Sequence, residues 1–456
     1  MKKIILLLGL FICLNVAACA TNQPVIDDVS QPSTTQESEV QELDILYSAD
    51  QQASSELVSN FKRDNRSVTV NAIEVSTVEE LDRYISEMND MEDLPDVILF
   101  PNSTSVDVYK MAVDQEFLDL STYLAQDPEF EDQNYYPVLD AGIIDDRSCL
   151  IPLRFSCMYF LTSEEKMDEK NLSFSENYPV TELMEEMTSL SENCGIDESG
   201  IQVMFSGVSR GSTLYDYLRL SGLSILDPEA KSVGIEEDVF LDYASFAQTT
   251  YQQFEKSAQV LKLYSRDFVG AFSRVTSFLF KDSVSFNLRY YDSIFSESMD
   301  HNMHILPVPN YEDSETITAD ITLYAAVMQN TQQPQLAYDF VRYAMDSNID
   351  TKAIDLPINR KAVQDILDIL TYSDGFTIQL GPTSSVKIDK MSSELRQECE
   401  SMLEQITSGS IRYAQMESII ADSMEAFLCG EADFDECYPT FIEQFENYIH
   451  TIYIVK

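Results

Sequence analysis

Gly207-Val208-Ser209-Arg210-Gly211 spells G-x-S-x-G, the sharpest catalytic signal in this chain. It follows the apolar run Ile201–Ser206 and precedes a helical period, the setting of a nucleophile elbow. There a serine attacks, a histidine takes its proton, and a carboxylate orients the histidine. Asp216 or Asp242, then His301 or His304, would complete that order. The result would be a secreted serine hydrolase. Two features stand against it. A pattern with three fixed positions arises readily by chance in a long chain. With 13 glycines and no HGGG-like stretch, the sequence also offers no obvious oxyanion hole.

Metal and cofactor chemistry finds less support. His301 and His304 sit three apart at the entry to a strand and point to opposite faces. His450 stands alone in the tail. There is no calcium-loop pattern, no phosphate-cradling glycine loop and no CxxC. No metal and no cofactor is therefore expected. What is left is non-covalent binding by hydrogen-bonding groups and flat rings. The chain has 24 Tyr, 24 Phe and no Trp.

Any such site must be held by the elements around it. Leu43–Ser48 reads as a strand. Asp50 then caps a helix carrying Ala53, Leu57, Val58 and Phe61 on one face. Val68–Val75 is a second strand and Thr77–Met91 an amphipathic helix. Asp96–Phe100 is a third, buried strand. This alternation implies a parallel sheet with right-handed crossovers. Cys149–Phe160 reads as one buried strand, with Pro152 at an edge or a change of direction. Helices are expected at Thr181–Leu190, Ser212–Leu220, Phe240–Tyr264 and Pro334–Ala344. Strands are expected at Ile201–Ser206, Ser283–Leu288, Asn302–Pro307 and Ile321–Met328. The tail, Met391–His450, reads as mostly helical.

The chain has 456 residues, which implies more than one domain. Its net charge of −49 repels nucleic acid. Lys2 and Lys3 precede the apolar run Ile4–Leu14, which reads as an export signal too short to span a bilayer. Val16-Ala17-Ala18-Cys19 resembles a bacterial lipobox. Cleavage there would make Cys19 a lipidated (palmitate-bearing) first residue on the outer face of the cytoplasmic membrane. Residues 20–42 are rich in Ser, Thr, Gln, Asp and Glu and read as a flexible tether. Cys149, Cys157, Cys194, Cys399, Cys429 and Cys437 remain, and spacing does not choose a pairing.

The order of segments resembles the carbohydrate-type extracellular solute-binding proteins of ABC importers. LDILYSADQQASSELVSNFKRDN, PDVILFPNS, LIPLRFSCMYFLTSEEKM, FKDSVSFNLRYYDSIF, MHILPVPN, PQLAYDFVRYAM and DLPINRKAV carry the match. Two family motifs differ here, at Tyr178-Pro179-Val180-Thr181 and at residues 146–150. The resemblance implies an α/β fold of two lobes, each a sheet flanked by helices. Three hinge crossings and a helical C-terminal tail complete it. Lobe one would be about 43–153 plus 308–355, and lobe two about 154–307 plus 356–456. The implied function is capture of a carbohydrate by cleft closure and delivery to ABC permease subunits, without catalysis. The protein would be a monomer tethered to the membrane. A surface receptor or adhesin of the same fold is the alternative.

Carried over position by position, the resemblance implies a ligand set. It comprises Tyr47, Ser48, Asp50 and Gln51 after the first strand, and Asn102 and Ser103 after the third. Arg154 and Phe155 lie in the crossing, and Arg210 follows Ile201–Ser206. Asn287, Arg289 and Tyr290 lie in a later loop, and Tyr413 in the tail. The three arginines could grip an acidic sugar. With Asp and Glu abundant, they could equally pair within the protein.

Overall fold

Val97, Ile98, Leu99 and Phe100 are fully buried, as expected of a strand covered on both faces. Burial of each such side chain contributes about 1.5–3 kcal/mol. They form β3 (Val97–Pro101) of a seven-stranded mixed sheet. The computed structural model describes residues 41–88, 91, 93–170, 172–175, 177–193, 196–197 and 200–201. It further describes 210–261, 288–289, 292–293, 296, 302–347, 355–379 and 385–453. The export signal, lipobox and most of the tether lie outside these residues. So do most of the two strands expected at 201–206 and 283–288.

The first half of the chain follows its pattern. β1 (Glu42–Ser48) leads to α1 (Gln52–Asp64), whose Leu57, Val58 and Phe61 are buried. β2 (Thr69–Val75) leads to α2 (Val78–Glu87), shorter than the expected Thr77–Met91. The Thr77 side chain accepts from the Glu80 amide and starts that helix. α3 (Val108–Val113) and the hairpin β4 (Ile143–Ile144) with β5 (Arg147–Ser148) follow.

Cys149–Phe160 is two strands, which corrects the single-strand reading. β6 (Ile151–Ser156) belongs to the main sheet. β7 (Tyr159–Ser163) leaves it and pairs antiparallel with β8 (Met303–Pro307). The break falls at Cys157 and Met158, where the Val308 amide donates to the Met158 carbonyl, 3.2 Å. An uninterrupted apolar run carries no mark of this change of partner.

β9 (Ile317–Val327) is the spine of the sheet. β6 lies antiparallel along one side of it. β10 (Leu356–Pro357) covers β6 only at Arg154 and Phe155. Pro152 therefore lies beyond the end of β10, where β9 is the neighbouring strand of β6. β3 pairs antiparallel with the second half of β9. β13 (Ile406–Ile411) pairs parallel with its first half. β11 (Phe376–Gln379) and β12 (Ser385–Ile388) form a separate hairpin. β13 is a short interruption in a tail that is otherwise mostly helical, as read from the sequence. Its sequence, ITSGSI, has weak strand propensity, and the long partner strand decides the outcome.

The helices include α4 (Val180–Asn193), α5 (Arg210–Arg219), α6 (Glu237–Leu261) and α7 (Pro334–Asp346). They continue with α8 (Arg360–Tyr372), α9 (Ser393–Glu404), α10 (Ala414–Leu428) and α11 (Phe434–Tyr453). Residues from Val40 onward form one compact unit. Among the described residues no helix is long and apolar enough to cross a membrane.

Candidate functional site

β2 and β3 flank β1 on opposite sides, and all three run parallel. Right-handed crossovers then place α1 and α2 on opposite faces. α1 packs on α7 through Phe61 and Phe340, ring centroids 5.1 Å apart. The chain thus reverses its winding between β1 and β3. A crevice opens at the carboxyl ends of strands at such a switch point, and ligands bind there in open α/β sheets.

Two loops border this crevice. The first is Ser48–Gln51. Ser48 is buried, and its hydroxyl has no partner among the described residues. Asp50 Oδ2 accepts from the Val78 amide, 3.3 Å. It therefore caps the start of α2 and not the helix that follows it, as the sequence had implied. The N-cap of α1 is Gln51, which makes no side-chain capping bond. The turn after β1 presents Asp50 to the neighbouring helix, whose first-turn amides lack intrahelical partners.

The second loop is Asn102–Ser105. Asp82 of α2 accepts from Thr104 Oγ1 at 2.6 Å, the Ser105 amide at 2.8 Å and Ser105 Oγ at 2.6 Å. The Asn102 amide donates to the Thr322 carbonyl, 3.0 Å. From the other side, Arg412 donates to the carbonyls of Asn102 and Thr104, 2.6 and 3.3 Å. The loop backbone is thus fixed by charged groups on both sides. The side chains of Gln51, Asn102 and Ser103 have no hydrogen-bond partner among the described residues. Gln51 and Asn102 are half-buried and Ser103 is exposed.

Arg412 adjoins Tyr413, which opens onto a cavity of about 330 Å³. Tyr109, Tyr215, Arg219, Leu226 and Ser410 share in lining it. Its volume is at the small end for ligand pockets. The Tyr413 amide donates to the Tyr215 hydroxyl, 2.8 Å. The Tyr109 and Tyr413 rings meet edge to face, centroids 5.1 Å apart. Arg219 is buried and bonded to Asp216 and Asp320, each at 2.8 Å. Its charge is engaged within the protein.

The structure brings Ser48, Asp50, Gln51, Asn102 and Ser103 to one crevice, and links Tyr413 to them through Arg412. It places the others elsewhere. Tyr47 is buried away from the crevice and donates to Glu74, 2.7 Å; burial, then Glu74, pushes its pKa up. Arg154 and Phe155 are interior, 1% and 0% exposed. Arg154 Nε donates to Asp355 Oδ1, 2.6 Å. Arg289 is buried and donates to Ser373 Oγ at 2.9 Å, the Asp374 carbonyl at 3.0 Å and the Asp389 carbonyl. Arg210 opens α5, and its side chain lies outside the described residues, as do Asn287 and Tyr290. Asp82, Tyr109, Tyr215 and Arg412 were not legible as site residues. Nothing local sets them apart from other polar helix or loop residues.

Ser209 and His301 of the hydrolase reading lie outside the described residues. The remaining members have other partners. His304 Nδ1 bonds Glu398 Oε1 at 2.8 Å, Asp216 bonds Arg219, and Asp242 accepts from Tyr311 at 3.1 Å.

His304 and Asp292 make stability depend on pH. The Glu398 hydrogen bond raises the His304 pKa above its ordinary value. Burial pushes the Asp292 carboxyl up to about 6. In the unfolded chain these groups titrate near about 6.5 and 3.9. The His304 contribution is complete below about 6.5 and is lost as pH rises through the folded value. The folded protein also binds a proton at Asp292 that the unfolded chain does not, between about 6 and 3.9. Both act in one direction, so stability rises as pH falls from about 7.5 to 5. Urea midpoints at the two pH values check this, with Asp292→Asn expected to flatten the difference. A higher midpoint at the upper pH would contradict it.

No family model and no curated protein matches the chain. Solved structures do match. The sugar-binding protein MalE from Xanthomonas citri aligns over 90% of this chain and 97% of its own, at 13% identity and TM-score 0.62. An ABC substrate-binding protein from Listeria monocytogenes, solved with cycloalternan, covers 90% and 98% at 12% identity and TM-score 0.56. An ABC transporter associated binding protein from B. animalis subsp. lactis, solved with β-1,6-galactobiose, covers 90% and 98% at 13% identity and TM-score 0.55. The chain therefore has the α/β fold of the two-lobed, MalE-like solute-binding proteins.

Proposed function

We propose that this chain is the substrate-binding protein of an ABC importer and captures a carbohydrate by cleft closure. The observation that carries the reading is the switch-point crevice. It presents the side chains of Gln51, Asn102 and Ser103, which have no hydrogen-bond partner among the described residues, on a fold whose solved neighbours include a sugar-binding protein and a binding protein solved with β-1,6-galactobiose. The tyrosines of the adjoining cavity offer ring faces in a chain without Trp. Arg154 and Arg289 are engaged within the protein, which favours an uncharged sugar over a uronate. The lobes would divide at the crossings near 153, 307 and 355. Cys19 would carry the lipid, and a permease would receive the sugar from a monomer.

Thermal unfolding of residues 20–456 against neutral and acidic oligosaccharides tests this reading. A sugar that binds only the native state stabilises it by about 2.7 kcal/mol at a hundred times its Kd. A saturable rise in midpoint with a neutral sugar is expected. Ester turnover lost in Ser209→Ala, with no sugar shift, would replace the reading with a hydrolase. A shift with a non-sugar solute alone would favour a receptor role.

A further inference from the structure

We propose that Arg412 is a positioning residue: it holds the Asn102–Ser105 loop in its ligand-ready shape from the far end of the chain. The proposal rests on the carbohydrate-binding reading for what the loop contacts, but not for the loop geometry itself.

The sheet explains why Arg412 is there. β3 and β13 both pair with β9 and lie end to end along it. β3 runs antiparallel and ends with Pro101 opposite Leu323. β13 runs parallel and ends with Ile411 opposite Ile321. Their carboxyl ends therefore face each other across one residue, Thr322. The residue after each strand meets the other: Arg412 follows β13 and Asn102 follows β3. Two strands meeting by their carboxyl ends direct carbonyl groups into one gap. Thr322 gives its carbonyl to the Asn102 amide. The carbonyls of Asn102 and Thr104 need donors, and the Arg412 guanidinium supplies both. Glu417, one turn into α10, pairs with Arg412 and fixes its direction.

The consequence is selective. Both main-chain groups of Asn102 are bonded, so only its carboxamide is left to read a ligand. Ser103 is held between Asn102 and Thr104, each tied down, with its hydroxyl outward. Asp82 fixes the other end of the loop. Without Arg412 the two carbonyls would have to turn toward water, and the loop would turn with them. Nη1 makes both carbonyl bonds while Nη2 pairs with Glu417, so a lysine keeps the charge but has no second nitrogen to hold Glu417. Re-ordering one loop side chain on binding weakens affinity by up to roughly tenfold.

The test compares wild type, Arg412→Gln and Arg412→Lys in two measurements. The first is amide hydrogen exchange of the unliganded proteins. Residues 102–106 should exchange roughly tenfold faster in both variants, while 97–100 of β3 stay unchanged as the internal reference. Unchanged exchange at 102–106 overturns the proposal. So does equal acceleration across β3, which would mean general loosening. The second is calorimetric titration with β-1,6-galactobiose, cycloalternan and acarbose. Binding weakened roughly tenfold in both variants, with thermal midpoints near wild type, supports the positioning role. Full rescue by Arg412→Lys overturns it in favour of a simple charge effect. If wild type binds none of the three sugars, the carbohydrate reading and the ligand half of this proposal fail together. The exchange result then decides the loop geometry alone.

Discussion

Asp355→Ala is expected to destabilise the protein by roughly 3–5 kcal/mol, the cost of leaving a buried charge without its partner. Arg154 is 1% exposed and donates through Nε to Asp355 Oδ1, 2.6 Å. A second bond runs from Arg154 Nη2 to the Asp355 carbonyl. Asp355 Oδ2 accepts from Thr322 Oγ1, 2.6 Å. One carboxylate therefore joins β6, β9 and the segment entering β10. Arg154 Nη1 has no partner among the described residues, so the variant would leave the guanidinium with little beyond one carbonyl. Urea unfolding measures the loss. The double variant Arg154→Met with Asp355→Ala should recover most of it, because a buried ion pair contributes little beyond a well-packed apolar pair. A single-variant loss under about 1 kcal/mol would show that water reaches Arg154.

Gly142→Ala is expected to cost about 3 kcal/mol or more, at or beyond the usual range for overpacking. A Cβ at Gly142 would stand 1.5 Å from the Leu150 carbonyl oxygen and 2.5 Å from its carbon. Both are main-chain atoms, so no side chain can swing aside. The Gly142 carbonyl also accepts from the amides of Cys149 and Leu150, each 3.2 Å. These bonds close the β4–β5 hairpin directly before β6 enters the sheet. Relief of the clash would break them and shift the start of β6. The same urea titration reads this effect. A midpoint unchanged from wild type would mean that the hairpin opens without disturbing β6.

These two positions mark what local sequence can and cannot report. The alternation from Leu43 to Phe100 was legible because period and burial are local properties. Residues two apart share a strand face, and those three or four apart share a helix face. Hence β1, α1, β2, α2 and β3 fall close to where their apolar residues place them. The candidate loops followed from the resemblance, and the sheet order then showed why they flank one crevice. Partner choice was not legible. Arg154 finds Asp355 across 201 positions, and Arg412 finds Asn102 across 310. No window of sequence contains both members. Asp50 illustrates the point on a smaller scale: its residue type announces a cap, yet the fold decides which helix it caps.

The sequence by itself determined an α/β chain with a parallel start, a crossing near 150–160 and polar groups at strand ends. Only the tertiary structure turned ITSGSI into a strand, because a long neighbour offered a ladder that outweighed weak propensity. Only the tertiary structure placed the ends of β3 and β13 face to face. The reason is physical: hydrogen-bond partners between strands are set by three-dimensional register, and register is a property of the assembled sheet.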